Sequence, residues 1–530
     1  MADRLCAIPI GQCTISKCAI GHCVYFLTAV LICLALASHA TASQEDDGPP
    51  NVIVILVDDI SACEFSCYGG EVNTPHIKRL ADRGIRFENA FGTPMCVPSR
   101  AMLLTGLYPD KTGVFHNALQ PRPIDKDSRA NWGKAFDLFP EVFQRNGYRT
   151  LVAGKWQMAG KYPTLGTEFG FDENCLHHEW VRANGWNKPL PKKAEYDGLI
   201  SDSRDLFPGR TSGYWHPSVT INGFLVDTSE KDFGPDIYND YILQFMERNR
   251  DRPFMIYYPM MLAHTVTDFH SEERDDPNRR FGQLLPRCPK IVDGKPADEL
   301  ELDSVRGNIH YVDYLVGRIT NKLTQLRLTN RTLVIFTSDN GTMGKGKGQP
   351  DPRGAHVPFI ASCPGKIPGG KVSDELVSLV DIHSTVTSFA GLQSRDYEPN
   401  DGVDLTRLLT GQQSRLDRES VFSFLGEETW VRNKEYMLKS TGEFFEIGAV
   451  TDNDPQKMVS LDLAEASSRQ LMSFQRLKMQ MDGFPGYQDF DSPVYIRYKR
   501  AKANLASRYK KTPLKDKRKF VQAKTRVKPE

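Results

Sequence analysis

No surplus of charge marks this chain: 67 lysines and arginines stand against 66 aspartates and glutamates, a formal net charge of +1. No global field therefore draws it to nucleic acid or to a membrane surface, and any electrostatic function has to be local. No CxxC pair and no Cys/His array with zinc spacing occurs. Of the 11 cysteines, Cys6, Cys13, Cys18, Cys23 and Cys33 crowd the N-terminus, which leaves Cys63, Cys67, Cys96, Cys175, Cys288 and Cys363. With Cys96 reserved for chemistry the other five cannot all pair, so this is no disulfide scaffold, although Cys63 and Cys67 could bridge in an oxidising compartment. No internal repeat is visible. The apolar run at residues 24–37 (VYFLTAVLICLALA) is too short for a comfortable membrane span.

That run follows Arg4 and Lys17 and precedes Ala40-Thr41-Ala42, a small-x-small cleavage pattern. It reads as a secretory signal peptide over 1–42, with an uncleaved anchor as the competing reading. The expectation is an exported protein, periplasmic or extracellular, with no stable membrane span once the signal is removed.

Beyond the leader, strand and helix patterns alternate. Residues 51–57 (NVIVILV) form a continuous β-branched run, the mark of a parallel strand buried on both faces. Thr74-Pro75 opens a helix that stops at Gly84, followed by a short strand at 85–87. Residues 136–146 read as a helix and 148–153 as a strand. Helix 236–248, strand 253–258, a long amphipathic helix from Ile309, strands at 332–337 and 357–361, and a helix at 376–390 complete the series. Stretches 164–234 and 265–297 are polar, rich in Gly and Pro or without period, and read as loops. The expected fold is α/β, a mostly parallel sheet flanked by helices, over 43–413. Short alternating segments and a helix at 463–479 predict a smaller antiparallel α+β domain over 414–497. A strongly basic tail, 498–530, follows; it reads as a solvated tail, with capture of a sulfated polyanion as its functional alternative.

Chemistry concentrates at three kinds of position. Two apolar strands end in acids, Asp58-Asp59 and Asp339-Asn340. Charges directly after a buried strand are costly unless compensated, and ligands gather at the carboxyl ends of parallel strands. Capping explains either pair alone; the two together favour an all-oxygen site for a hard divalent cation, Ca²⁺ or Mg²⁺. Cys96-Val97-Pro98-Ser99-Arg100 opens a helix that runs to Gly106, which places Cys96 in a positive field beside Arg100. Lys155 after a strand, Lys347 in a Gly-rich loop and His264 add groups that could hold an oxyanion, sulfate or phosphate ester; Lys345 reads as a surface lysine.

Cys96-Val-Pro-Ser-Arg100 with Leu104-Thr105-Gly106 resembles the signature of the type I sulfatases of the alkaline phosphatase superfamily. VDD at 57–59, GKW at 154–156, TSDNG at 337–341 and GKG with GAHVP across 346–358 follow in the family's order, and the likeness spans residues 51–462. The resemblance implies an arylsulfatase-like sulfuric ester hydrolase in which a maturase, aerobic or anaerobic, oxidises Cys96 to formylglycine. One hydroxyl of the aldehyde hydrate then attacks sulfur, and the other drives sulfate out. It implies Asp58, Asp59, Asp339, Asn340 and the modified Cys96 as calcium ligands, and Arg100 as the holder of the hydrate. Lys155 and Lys347 would grip the sulfate, and His264 would protonate the leaving oxygen. Sulfate monoesters, including those of sulfated polysaccharide, are the implied substrates. The chain departs from the family's GKWH at Gln157, where glutamine can hydrogen-bond a hydroxyl but cannot take its proton; His116 is a candidate substitute. His356 stands where the family often carries arginine. A phosphoester or phosphonate hydrolase on the same fold, and a sulfate-ester-binding pseudoenzyme weakened by Gln157, are the alternatives.

Overall fold

Why the buried run at β1 (Asn51–Val57) sits at the centre follows from its two faces. Val52, Val54 and Leu56 point into one apolar cluster, and Ile53, Ile55 and Val57 into a second. A strand apolar on both sides has to be covered on both sides, and helices do this. In the computed structural model, described for residues 48–114, 136–158, 166–177, 214–215, 217, 219–229, 231–264, 288–300, 304–395, 400–426, 428–448 and 457–483, the elements follow in order. They are β1, α1 (Pro75–Asp82), β2 (Ile85–Phe91), α2 (Cys96–Thr105), α3 (Phe139–Arg145) and β3 (Arg149–Gly154). Next come β4 (Glu173–His177), β5 (Val219–Ile221), β6 (Phe224–Leu225), α4 (Gly234–Arg248), β7 (Phe254–Pro259), β8 (Pro289–Val292), β9 (Lys295–Leu300) and α5 (Val305–Gln325). Then β10 (Thr332–Ser338), β11 (Phe359–Ser362), β12 (Lys371–Ser378) and α6 (Asp381–Phe389) lead to β13 (Val421–Leu425), β14 (Glu428–Arg432), β15 (Tyr436–Lys439), β16 (Phe444–Ile447), β17 (Met458–Ser460) and α7 (Ser468–Gly483).

The main sheet has ten strands in the order β12-β2-β11-β10-β1-β7-β3-β4-β5-β6. β10, β1, β7, β3 and β4 are parallel neighbours, so their carboxyl ends share one edge, while β11 runs against both β10 and β2. The expected α/β fold, mostly parallel with flanking helices and a smaller antiparallel C-terminal sheet, is the fold observed. From Pro49 onward the chain is one compact unit. The five C-terminal strands pair in sequence order, and Val421, Trp430, Met437 and Ile447 pack on Phe91, Ala355 and Leu376 of the main body.

Several local readings need correction. β2 runs on to Phe91 rather than ending at 87. Residues 376–390 are not one helix: β12 pairs parallel with β2 as far as Ser378, and α6 begins only at Asp381, whose carboxylate accepts the Ser378 N–H at 2.7 Å. The stretch 164–234 is not all loop, because β4 extends the sheet and the β5–β6 hairpin closes its edge. Within 265–297, β8 and β9 form a separate hairpin. The C-terminal helix begins at Ser468 rather than 463. Thr74 precedes α1, but its hydroxyl is taken by Ser66; the cap comes from Asp313 on α5, which accepts the His76 and Ile77 N–H groups at 3.0 and 2.8 Å. Cys63 and Cys67 are free thiols, unbridged. The leader, His116 and the basic tail lie outside the described residues, and among the described residues no helix is long and apolar enough to cross a membrane.

His356 belongs to the seam between the two sheets. Its ring lies 5.4 Å from that of Phe91, and Nε2 meets the Glu88 carbonyl at 2.8 Å. Burial lowers its pKa to about 4, despite the Glu88 contact. The folded state therefore keeps this imidazole neutral while the unfolded chain takes up a proton near pH 6.5. That stability is fully present above pH 6.5 and is lost as pH falls toward 4. His356→Gln should flatten the fall in unfolding free energy between pH 7 and pH 4 by about 2–3 kcal/mol, read by urea denaturation at each pH.

Candidate active site

Three loops meet at the carboxyl edge of the sheet, after β1, β3 and β10, and each is held by its own backbone contacts. Lys155 N donates to Pro259 O at 2.7 Å across the β3–β7 boundary. Gly154 precedes it at φ +120°, and a Cβ there would lie 2.1 Å from that same carbonyl, so only glycine fits. The β1 and β10 ends are stitched reciprocally: Ser61 N donates to Thr342 Oγ1 at 2.9 Å and Thr342 N to Ser61 Oγ at 2.8 Å. Asp59 N adds a bond to Asp339 Oδ1 at 3.2 Å. The entrance to α2 is set by Thr93, whose N–H donates to Ser99 Oγ at 2.8 Å. Gly92, just before it, leaves room for the Asp339 carbonyl, 2.8 Å from where a Cβ would stand. The Ser61 and Thr342 hydroxyls carried no signal in the sequence, whereas Ser99 stands within the Cys96–Arg100 motif.

The predicted residues converge. Asp58, Asp59 and Asp339 are buried and offer oxygens within 4.8 Å of one another. Asp58, Cys96 and His264 form an overlapping group within the same limit. Arg100, which the resemblance implies as the holder of the hydrate, is fully buried. Its Nη2 reaches Asp339 Oδ2 at 2.8 Å and Asp58 Oδ2 at 3.1 Å, and Nη1 reaches the Lys155 carbonyl at 3.1 Å. Lys155 Nζ is paired with Asp58, and Lys347 Nζ bonds both oxygens of Asp59 at 2.6 Å and Cys96 Sγ at 3.4 Å. Asn340 Nδ2 donates to Asp59 Oδ1 at 2.8 Å. Lys345 lies outside this group, exposed and paired with Glu64 at 2.7 Å. His356 is likewise absent from it.

Electrostatics follow from burial and neighbours. Burial works to raise the Asp58 carboxyl, but Lys155, His264, Arg100 and Lys347 together draw it well below the usual carboxylate range. For Asp59, burial outweighs Lys347, and with Asp58 and Asp339 nearby it pushes the carboxyl up to about 7. Asp339 is raised to about 6, again by burial first and then by Asp58. Burial pushes the Cys96 thiol up to about 11 against the pull of Lys347. Desolvation thus outweighs the positive field of the helix N-terminus and the nearby cations. His264 is driven well below its ordinary value by burial and by Lys155.

A divalent cation fits the donor set. The acids are buried, and the donors of Asp58, Asp59, Asp339 and Asn340 are all oxygens. Asp58 Oδ1 and Asn340 Oδ1, both acceptors, have no hydrogen-bond partner, as cation ligands would not. Gln157 is buried at φ +55°, and its Oε1 too lacks a hydrogen-bond partner.

Acids at two strand ends, a cysteine heading a helix between them and the cations Arg100, Lys155 and Lys347 make a site that could hold an oxyanion ester. The profile of the sulfatase family matches residues 50–392, and the chain belongs to that family. It is similar to human Arylsulfatase H, 26% identical over 71% of this chain and 75% of the relative. N-acetylgalactosamine-6-sulfatase of Canis lupus familiaris is 27% identical over 74% of this chain and 72% of its own length. The crystal structure of Ps i-CgsB in complex with k-i-k-neocarrahexaose shares the fold with a TM-score of 0.60 at 20% identity, covering 85% of this chain and 98% of that one. The chain is an enzyme that hydrolyses sulfate esters.

If the four oxygen donors bind a divalent cation, millimolar Ca²⁺ should raise the melting temperature by several degrees in a fluorimetric melt, since saturation at a hundredfold over Kd contributes about 2.7 kcal/mol. Chelator should reverse the rise, and Asp339→Asn should abolish it. An unchanged melting temperature in the wild type would count against the assignment.

Proposed function

We propose a Ca²⁺-dependent sulfatase acting on sulfate monoesters of carbohydrate, with Cys96 matured to formylglycine by a formylglycine-generating or anaerobic maturase enzyme. The observation that carries it is the convergence of Asp58, Cys96 and His264 within 4.8 Å of one another, beside the second acidic group. A buried thiol raised to about 11 makes a poor nucleophile, which supports the reading of Cys96 as the precursor of an aldehyde hydrate. The all-oxygen donor set favours Ca²⁺ over softer metals, and the cation would polarise a sulfate oxygen. Asp58, Asp59, Asp339 and Asn340 would hold it. Lys155 and Lys347, now paired with Asp58 and Asp59, would turn toward the sulfate oxygens, while Arg100 balances the acids from beneath. His264 lies beside Cys96 and would give a proton to the alcohol as it leaves, provided the negative charge of the bound ester offsets the burial and the Lys155 charge that hold the imidazole neutral. Carbohydrate is favoured by N-acetylgalactosamine-6-sulfatase among the relatives and by the bound oligosaccharide of Ps i-CgsB. The leader supports export and cleavage after Ala42.

Mass spectrometry of the tryptic peptide ending at Arg100, from chain made beside a maturase, should show the mass loss of a thiol converted to an aldehyde. An unmodified Cys96 together with no release of sulfate from 4-nitrophenyl sulfate or galactosamine 6-sulfate would sink the reading. Preference for 4-nitrophenyl phosphate over the sulfate would favour the phosphoester alternative.

Gln157 supports a second reading, of an enzyme slow in its last step. Glutamine at this position has no basic site for a proton, and a general base contributes roughly 10²–10⁴ in rate. Gln157→His should therefore speed release of sulfate after the first turnover by about tenfold or more, seen as loss of the pre-steady-state burst of released alcohol with substrate in excess. An unchanged burst would remove Gln157 from that step.

A further inference from the structure

The loop after β7 carries His264, and what holds that loop is not local. Asp58 N donates to Leu262 O at 2.8 Å and Ala263 N to Asp58 O at 2.6 Å, so the loop is laced to the backbone of an acidic site residue. His264 N closes the turn onto Met261 O at 2.8 Å. A further contact comes from Tyr214, fully buried, whose hydroxyl lies 2.7 Å from Met261 O and 2.8 Å from His264 O. A phenol has one proton and here meets two carbonyls at the two ends of one turn. It bridges them from outside the loop.

Tyr214 is itself fixed. Its carbonyl accepts the N–H of Gly234 at the start of α4 at 2.7 Å. Its ring stacks on Phe233 with centroids 6.1 Å apart, and Trp215 bridges to Phe233. The chain thus anchors a tyrosine at the head of a fifteen-residue helix and aims its hydroxyl at the backbone of His264. A side chain placed by a turn is only as well placed as the turn, and small displacements of catalytic groups are costly in rate.

We propose that Tyr214 is a positioning residue for His264, holding the turn so that the imidazole faces Cys96 and Asp58 during departure of the alcohol. The proposal rests on the sulfatase reading above. In that step the S–O bond to the alcohol breaks, its electron pair stays on the alcohol oxygen, and that oxygen takes a proton from His264. A misplaced His264 therefore matters most for alcohols that leave badly without a proton.

The test uses the full chain, matured at Cys96. Tyr214→Phe keeps the ring against Phe233 and removes the hydroxyl. On phenyl sulfate, a poor leaving group, kcat should fall by about tenfold or more. On 4-nitrophenyl sulfate it should fall by roughly threefold or less, with KM unchanged on both. His264→Ala should show the same split, and Tyr214→Phe added to it should cost little more. Hydrogen exchange of the peptide containing residues 261–264 should speed up in Tyr214→Phe while the rest of the sheet edge is unchanged. Equal loss on both leaving groups, or unaltered exchange at 261–264, would overturn the proposal. Tyr214→His, which offers a ring N–H in less space, is the second variant should the phenylalanine not fold; it should recover part of the split, and a uniform loss there would overturn the proposal equally. A wild type that cleaves neither these aryl sulfates nor galactosamine 6-sulfate speaks against the proposed function, while the exchange measurement still decides the clamp.

Discussion

Three carboxylates buried at one end of a parallel sheet have to be neutralised, and most of the site's architecture answers that need. Asp58, Asp59 and Asp339 are at most 1% exposed. Each is met by a cation drawn from a different part of the chain: Lys155 from the end of β3, Lys347 from the loop after β10, and Arg100 from the second turn of α2. Pairing at this depth does not ensure net stability, because desolvation offsets much of the attraction. What it does ensure is that no partner can be removed cheaply, since an uncompensated buried charge costs about 3–5 kcal/mol. The sheet's parallel run β10-β1-β7-β3 is what brings these acids and cations to one edge.

The same balance prepares the site for its substrate. With all three acids ionised, the three cations balance them and leave little field for an anion. A divalent cation among the acids would tip the sum to positive and leave Lys155 and Lys347 with oxygens to seek, which a sulfate ester provides. Arg100 differs from the two lysines in geometry: its planar head bridges Asp58 and Asp339 and also binds the Lys155 carbonyl. A guanidinium can satisfy three oxygens at once in a fixed plane, so Arg100 is built into the frame.

How much of this could be read from the chain depends on the range of each signal. β1 and the helix at Cys96 were legible because a β-branched run and a Pro-to-Gly punctuation are local, and the structure has them at 51–57 and 96–105. The acids, Arg100, Lys155, Lys347 and His264 were legible because motifs fixed their order, and the fold supplied the meeting. β12 was missed because its first half is exposed and polar, with an alternation too weak to outweigh the helical residues after it. β4 and the β5–β6 hairpin were missed because they are short and set among long irregular stretches. Tyr214 was invisible for a different reason. Its partners lie 47 and 50 residues away, and nothing near it in sequence tells an anchoring tyrosine from any other aromatic in a loop. The cost of burying the Cys96 thiol was also beyond the sequence.

Gln157 is best weighed by its backbone. Among the described residues five other than glycine have positive φ, and two of them lie at this sheet edge: Asp59 at φ +62° and Gln157 at φ +55°. Each follows the end of a strand closely. The left-handed conformation costs a side-chain-bearing residue about 1–2 kcal/mol, less for aspartate, and such outliers gather where geometry serves function. Asp59 shows what the bend achieves: it turns a carboxylate back among the other acids. Gln157 adopts the same bend without the local hydrogen bonding that lets aspartate tolerate it. With a buried oxygen lacking a hydrogen-bond partner, the residue at this strand end can hydrogen-bond a hydroxyl but cannot take its proton.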